Sequence, residues 1–219
     1  NNLINYLEKG ESISLPEDPQ DPLVMAENIT LPQSLTLSVP FTAQAPNGDW
    51  NMPYQEACEE AAMIMVEYYL RNTYLDAGTA NWEILNLIDY ENENGYMVDV
   101  DTSETANIIE NYYYRKSSPY YGNIVTVENI KKLLASGHPV IIPAAGRLLE
   151  NPGYTGLGPE YHMIVIIGYD ETGFTTHDPG ILSGAFYHYS YQVIENAIHD
   201  FTGEKATIQS GQKAMIVFN

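Results

Sequence analysis

The sequence predicts an α+β domain in which a group of helices precedes an antiparallel β-sheet. Two observations lead to this prediction. Between about residues 55 and 136 the chain has long helical segments, whereas from Val140 onward it has short apolar or alternating runs separated by turn residues. Because helices and strands are segregated along the chain, a doubly wound parallel sheet is not expected. The 219 residues, 44% of them hydrophobic, suffice for a substantial core.

Residues 1–38 are expected to form an acidic, proline-rich arm or linker, followed by one domain over residues 39–219. The segment 12–22 contains three prolines and shows no sustained period of 2 or 3.6. A short helix is predicted near residues 3–9.

The first part of the domain is predicted to run from a strand through a loop into a central helix. Leu35, Leu37 and Val39 alternate with polar residues, which predicts a short strand. A loop rich in Pro, Gly and Asn follows over residues 43–53. The segment 55–71 then contains no Gly or Pro and is dense in Ala, Met, Ile and Val, so it is expected to be a helix near the centre of the fold.

Three further helices are expected, over about residues 80–94, 103–115 and 126–136. Asp101 with Glu104 three residues later is typical of a capping box at the start of the second. Gly137 and Pro139 are expected to end the third.

The remaining apolar runs predict the strands of the sheet, at residues 140–143, 162–169, 174–177, 187–191 and 214–218. A long glycine-containing loop is expected over residues 144–161. The turn residues 170–173 join the second and third of these strands into a hairpin, which the segment Asp178-Pro179-Gly180 ends.

The charge of the chain excludes some classes of partner. Nine Lys and Arg residues against 29 Asp and Glu residues give a net charge of −20. Such a surface repels phosphate backbones and anionic lipids, so neither nucleic-acid binding nor membrane docking is expected. No apolar run approaches the length of about 18 residues that a spanning helix needs. The low lysine content and the 18 tyrosines are expected for an exported protein, extracellular or at the cell envelope. The sequence at Asn1 has no export signal, which is expected if the signal has already been removed.

Cys58 is the single cysteine, so the chain can form neither an intrachain disulfide nor a cysteine-built zinc site. It is either a packed apolar residue or a reactive thiol. Its position in the first turn of the central helix favours the thiolate. The neighbouring carboxylates of Glu59 and Glu60 would raise the pKa of the thiol. They are compatible with a reactive thiol if they point to solvent and a cation lies nearer the sulfur.

His162 is the candidate base, because it opens the most apolar strand directly after the glycine-containing loop. His138, His188 and His199 are most simply surface or capping histidines. His177 is a competitor next to Asp178, although it faces the other side of its strand.

Asp178 is the candidate partner that orients the imidazole of His162, 16 residues earlier in the same hairpin. A plain two-residue turn at Glu171 and Thr172 would pair residues whose numbers add to 343, which places His162 and Asp178 on opposite faces. The two side chains can meet only if an odd loop or a bulge changes this register.

An oxyanion would need hydrogen-bond donors near the thiol. Gln44, 14 residues before Cys58, has a side-chain amide, and the backbone N–H of Cys58 is a second candidate. Gln55 is expected to cap the helix or face water. Trp50 is expected to form a wall of the substrate pocket or to hold its loop in place.

Four segments, VPFTAQAPNGDW, ACEEAAMIM, YHMIVIIGYD and HDPG, taken in this order, resemble the papain-like bacterial cysteine peptidases of family thirty-nine. That family includes the double-glycine leader peptidases, and the chain is more similar to its stand-alone, transporter-free relatives. The resemblance implies a papain-like fold with Cys58 as nucleophile, His162 as general base, Asp178 as its orienting partner and Gln44 in the oxyanion hole. It also implies the even hairpin register. The spacing from Gln44 to Cys58 is longer than in leader peptidases.

Other motifs are interpreted as structural. Residues 99–110 match the ligand spacing of a calcium loop, but Glu104 stands where a glycine is required, and the capping box explains the pattern. The acidic residues at 89–93 are expected to be solvated, and the tyrosine clusters at 112–114, 120–121 and 187–191 to be half-buried packing.

The sequence therefore predicts a cysteine peptidase that acts on a peptide or protein and uses no metal or cofactor. Two alternatives remain open. One is a different acyl transfer by the same thiol, such as deamidation or transpeptidation. The other is a peptide-binding module with this fold and no turnover.

Overall fold

The computed structural model describes residues 20–219, so the helix predicted near residues 3–9 lies outside the described part. A seven-stranded antiparallel sheet is flanked by helices, and the predicted α+β class is confirmed. The helices are α1 (Pro22–Met25), α2 (Cys58–Leu70), α3 (Ala77–Asn94), α4 (Thr102–Tyr112), α5 (Val127–Ala135) and α6 (Tyr191–Ala197). The strands are β1 (Leu35–Thr36), β2 (Ser117–Tyr121), β3 (Val140–Ala145), β4 (Tyr161–Tyr169), β5 (Gly173–His177), β6 (Tyr187–Ser190) and β7 (Ala214–Phe218).

The sheet has the order β2-β7-β3-β4-β5-β6, and β1 pairs with the C-terminal end of β4. Alternation along β4 directs Met163, Val165 and Ile167 into the core on the α2 side, and Ile164 and Ile166 into the core on the α5 and α6 side. Burial on both faces explains why β4 has a continuous apolar sequence. No helix among residues 20–219 combines the length and the apolar character needed to cross a bilayer.

The central helix begins later than its composition predicts. Tyr54–Glu56 form a 3₁₀ turn, and Ala57, with φ −99° and ψ 35°, separates that turn from α2. Cys58 is therefore the first residue of the helix, and its N–H has no partner within the helix.

Strand β2 and helix α6 differ from the sequence prediction. Residues 117–121 pair over their whole length with β7, because a non-local partner outweighs the local preference of this segment. The strand predicted up to residue 191 ends at Ser190, whose side chain accepts the N–H of Val193 and caps α6.

The described part of the predicted arm packs on the domain. The hydroxyl of Tyr120 donates to Asp21 at 2.8 Å, and Asp21 also caps α1. Leu23 and Leu35 pack against the core on the α5 side, and Leu35 pairs with Tyr169. From residue 21 onward the chain is thus attached to the sheet.

The hairpin of β4 and β5 contains the bulge that the Asp178 hypothesis requires. Tyr169 pairs with Phe174 and Gly168 with Thr175, but Ile166 pairs with Thr176. The numbers of paired residues thus change from 343 to 342 across Ile167. Because one extra residue in one strand reverses the facing of those beyond it, His162 and Asp178 lie on the same face. The even register is confirmed.

Two carboxyl groups are buried between α2 and α3. Glu60 is 3% exposed and Glu91 is 6% exposed, so the expectation that the acidic run at 89–93 is solvated is wrong for Glu91. The amphipathic turn of α3 directs this one residue of the run toward α2, where burial raises the pKa of both groups, that of Glu91 to about 8. Because the pKa of each group is raised, the pair holds a proton above the usual pKa of a glutamate.

The shared proton predicts a pH dependence of stability. The pKa of each group is higher in the folded chain than its usual value, so the folded chain keeps a proton that the unfolded chain loses. The contribution of this protonated pair to the free energy of unfolding is therefore complete below the usual pKa of a glutamate. It is lost as the pH rises toward about 8. The Glu60→Gln/Glu91→Gln variant is expected to lose less stability than the wild type between pH 5 and 8, measured by urea unfolding. Exposed Glu93→Gln is the control, and equal slopes for all three chains would contradict the prediction.

Candidate active site

A cavity of about 560 Å³ lies at the N-terminal end of α2 and is closed on its other side by the loop that precedes β4. Four predicted site residues line it: Gln44, Trp50, Cys58 and His162. Asp178 lies directly behind His162. The structure therefore brings all five predicted residues to one place.

Cys58 is 5% exposed, and its thiol is hydrogen-bonded to an acid. Sγ donates to Oε2 of Glu59 at 2.9 Å, and Oε1 of Glu59 accepts the backbone N–H of Val100 at 3.2 Å. Glu59 and Glu60 are buried, with 1% and 3% exposure. The expectation that both carboxylates face solvent is wrong, because Glu59 bridges the thiol and the backbone of the segment before α4.

Burial, together with the neighbouring acids Glu59, Glu60 and Asp99, raises the pKa of the Cys58 thiol well above its usual value, and burial raises the pKa of Glu59 as well. The N-terminal end of α2 favours a thiolate, but burial and the acid at hydrogen-bond distance oppose it. In this arrangement the thiol is protonated at neutral pH.

His162 is held by Asp178. Nε2 of His162 lies 2.8 Å from Oδ1 of Asp178, and both side chains are buried. The edge of the Tyr154 ring faces the imidazole, with the ring centroids 5.6 Å apart. Gly180 also contacts the ring, since a Cβ atom there would lie 2.9 Å from Cε1 of His162. The imidazole is thus fixed on three sides, and Nδ1 has no hydrogen-bond partner among residues 20–219.

Asp178 accepts four further hydrogen bonds. Oδ2 accepts the hydroxyls of Tyr154 at 2.7 Å and Tyr189 at 2.5 Å and the side-chain amide of Asn151 at 3.0 Å, while Oδ1 accepts the N–H of Gly180 at 2.9 Å. Burial opposes ionisation, but the charge of His162 and these donors lower the pKa of Asp178 to about 2. Asp178 is therefore a carboxylate at every physiological pH.

The thiol and the imidazole reach the cavity from different sides of β4. Cys58 packs in the core on the α2 side, while His162 shares the face of Ile164. No hydrogen bond joins Sγ to His162 in the described part of the chain, so the predicted contact between thiolate and imidazole is absent from this structure. The thiol donates its hydrogen bond to Glu59 instead.

The side-chain amide of Gln44 is hydrogen-bonded to two backbone carbonyls. Its Nε2 donates to the carbonyls of Tyr54 at 3.0 Å and Gln55 at 2.8 Å, and its Oε1 is buried without a partner. Both N–H bonds of the amide are used, which leaves none for an oxyanion in this arrangement. The side chain of Gln55 makes no capping hydrogen bond; it is exposed, as one of the two alternatives expected, and it lines the same cavity.

The remaining histidines have structural contacts. Nε2 of His177 donates to the carbonyl of Val39, and its Nδ1 accepts the N–H of Phe186. His138 contacts Ser136, His188 contacts Thr172, and His199 contacts the carbonyl of Gly211.

Tyr154, Tyr189 and Asn151 were not predicted as site residues. Tyr189 belongs to a cluster interpreted as packing, and the other two lie in a loop whose sequence gives no distance to Asp178. The one available signal was the requirement that a buried carboxylate receive several donors.

The capping box of Asp101 and Glu104 is present, as predicted. No group of three or more His, Cys, Asp or Glu side chains within residues 20–219 is arranged to hold a metal ion.

Comparisons with known proteins agree with this architecture. The model of the Peptidase_C39 like family matches residues 36–205. Among solved structures, a Bacillus anthracis protein described as a candidate C39-like peptidase has a TM-score of 0.57 and 18% sequence identity. The match covers 85% of this chain and 98% of that chain, and it shows a common fold. No curated protein matches the sequence.

The contact between Cys58 and Glu59 predicts how the thiol responds to one substitution. Glu59→Gln removes an acid at hydrogen-bond distance while the burial of the thiol remains, so the pKa of Cys58 is expected to fall by up to about one unit, which gives up to about tenfold faster alkylation below the midpoint. The rate of reaction with iodoacetamide as a function of pH measures this change. Exposed Glu93→Gln is the control, and an unchanged midpoint in Glu59→Gln would contradict the prediction.

Proposed function

The chain belongs to the Peptidase_C39 like family, and we propose that it hydrolyses peptide bonds as a cysteine peptidase with Cys58 as the nucleophile. One observation carries this proposal. Cys58 and the His162–Asp178 pair face a single cavity, and Nδ1 of His162 has no other partner among the described residues. A thiol, an oriented base and a space for a substrate carbonyl are the parts that acyl transfer requires.

The first step of the proposed mechanism is a change of partner by the thiol. Cys58 leaves Glu59 and turns toward Nδ1 of His162, which accepts its proton as Sγ attacks the carbonyl carbon. Asp178, ionised and fixed by its donors, stabilises the imidazolium. The protonated Nδ1 then donates to the leaving amine, and a thioester remains on Cys58. Water, deprotonated by His162, hydrolyses this thioester and regenerates the thiol.

The backbone N–H of Cys58 is the proposed first donor to the oxyanion, because the first N–H groups of a helix are free and point out of its N-terminal end. Gln44 remains the predicted side-chain donor and would have to release one of its two carbonyl partners. Gln55 is a rival that lines the cavity. A peptide or protein substrate and an extracellular or cell-envelope location are also part of the proposal, and Trp50 in the cavity wall is a proposed substrate contact.

A peptide-binding module without turnover is the second candidate. The hydrogen bond from Cys58 to Glu59, with the raised pKa of the thiol, favours it over a peptidase whose thiolate is ready for attack. Deamidation or transpeptidation by the same thiol would give products of different mass from those of hydrolysis.

The peptidase proposal predicts the effect of removing each reacting group. A peptide mixture derived from a bacterial proteome is incubated with the wild type, Cys58→Ala and His162→Ala, and new termini are detected by mass spectrometry. Cleavage is expected for the wild type and to fall by at least about 10³-fold in both variants. Folding of the variants is checked by circular dichroism. Full cleavage by Cys58→Ala would exclude this mechanism, and slow alkylation of the wild-type thiol without cleavage would favour the binding module.

The two glutamines predict a separable effect. If Gln44 releases an N–H in the transition state, Gln44→Ala lowers kcat by about 10²-fold while Gln55→Ala has little effect. The reverse pattern would assign the donor to Gln55. If kcat in both variants equals the wild-type value, the backbone N–H of Cys58 remains the proposed donor.

A further inference from the structure

A second, smaller cavity of about 150 Å³ adjoins the candidate active site. Glu56 lines both cavities. Its rim is apolar and its floor is acidic. Met52, Met97 and Val98 on the rim are 60%, 71% and 57% exposed, whereas Glu60 and Glu91 on the floor are buried.

One oxygen of each acid on the floor has no hydrogen-bond donor. Oε2 of Glu60 and Oε1 of Glu91 are buried, and no N–H or O–H group of residues 20–219 donates to either. The raised pKa of both groups keeps a proton on the pair. Buried acceptors in this state are costly, since a charged donor is the partner that would stabilise both.

Lys205, which lines the first cavity, already forms ion pairs. Lys205 lies 2.6 Å from Glu56 and 3.2 Å from Asp99, which neutralises the acids of the neighbouring cavity. No Lys or Arg side chain in the described chain forms an ion pair with Glu60 or Glu91. The cation for the floor must therefore come from a bound molecule.

We propose that this second cavity binds the side chain of a lysine or arginine in the peptide substrate. That the bound side chain belongs to a substrate rests on the proposed peptidase function. That the pocket binds a basic side chain does not depend on that function. The exposed Met52, Met97 and Val98 fit the aliphatic stem of a long basic side chain, and its charged end replaces the proton between Glu60 and Glu91. The volume equals that of about five waters, enough for one side chain. The net charge of −20 attracts cationic peptides to this surface.

A cationic side chain fits better than a bare metal ion. The described residues contain no group of three or more metal-type ligands, and an ion of that kind gains nothing from an apolar rim. The pairing of exposed apolar residues with deep carboxyls matches a molecule that is apolar along its length and charged at its end.

Binding to the Cys58→Ala chain tests the pocket without turnover. The probes are Nα-acetyl-lysine methylamide and Nα-acetyl-norleucine methylamide, which differ at the charged end. Titration is followed by the NMR shifts of ¹³C-labelled methionine methyls, because Met52 and Met97 lie on the rim. The lysine probe is expected to bind at least about tenfold more tightly than the norleucine probe, with shifts confined to these two methyls.

Four single variants and one double variant in the Cys58→Ala background locate the effect. Glu91→Gln and Glu60→Gln are expected to abolish the preference for lysine, and exposed Glu93→Gln to leave it unchanged. Val98→Trp, which narrows the mouth while keeping both carboxyls, is expected to weaken both probes. Equal binding of the two probes, or a lysine preference that survives in Glu60→Gln/Glu91→Gln, would overturn the proposal.

The same pocket gives a separate readout in the active chain. Peptides cleaved by the wild type are expected to be enriched in Lys or Arg at one position near the cleaved bond, and this enrichment to be lost in Glu91→Gln. Lysine binding without any cleavage would refute the peptidase function and leave the pocket. Cleavage without lysine preference would refute the pocket and leave the peptidase.

Discussion

The hydrogen bond between the Cys58 thiol and the Glu59 carboxylate is the interaction on which the state of this site depends. It ties the first residue of α2 to the segment before α4 through the N–H of Val100. The helix end alone would favour a thiolate, yet burial and the acid at contact distance together outweigh that partial charge. The thiol is consequently protonated and hydrogen-bonded to Glu59, so the proposed reaction would begin with a change of hydrogen-bond partner rather than with a preformed ion pair.

Buried carboxyl groups on the two sides of the site have opposite states for one reason. Asp178 receives five hydrogen bonds, counting that of His162, and remains ionised although it is buried. In Glu60 and Glu91 one oxygen of each group receives no donor from the described chain, and the pair keeps a proton instead. Burial penalises charge in both places, and the number of donors decides which group retains it. Asp178 is thus ionised beside His162, whereas the pair of Glu60 and Glu91 is the proposed site for a bound cation.

Much of the fold could be predicted because its signals are local. Gly137 and Pro139 end α5, the Asp101–Glu104 pair caps α4, and the apolar run of β4 follows from burial on both faces. Strand β2 could not be predicted, since residues 117–121 are ordered by pairing with β7, about 100 residues away. Candidate residues of the site were predicted by type and by resemblance, but the burial of Glu59 and the engagement of Gln44 depend on contacts that spacing does not encode.

The sequence by itself determined the class of the fold, the family and the set of groups available for chemistry: one thiol, five imidazoles and a large excess of carboxyl groups. These follow from composition, periodicity and motif order, which are properties of the chain. The tertiary structure decided which imidazole meets a carboxylate, through the bulge at Ile167, and which carboxylate meets the thiol. Hydrogen-bond partners and protonation states depend on distances of a few ångströms between segments remote in sequence, and folding alone sets those distances.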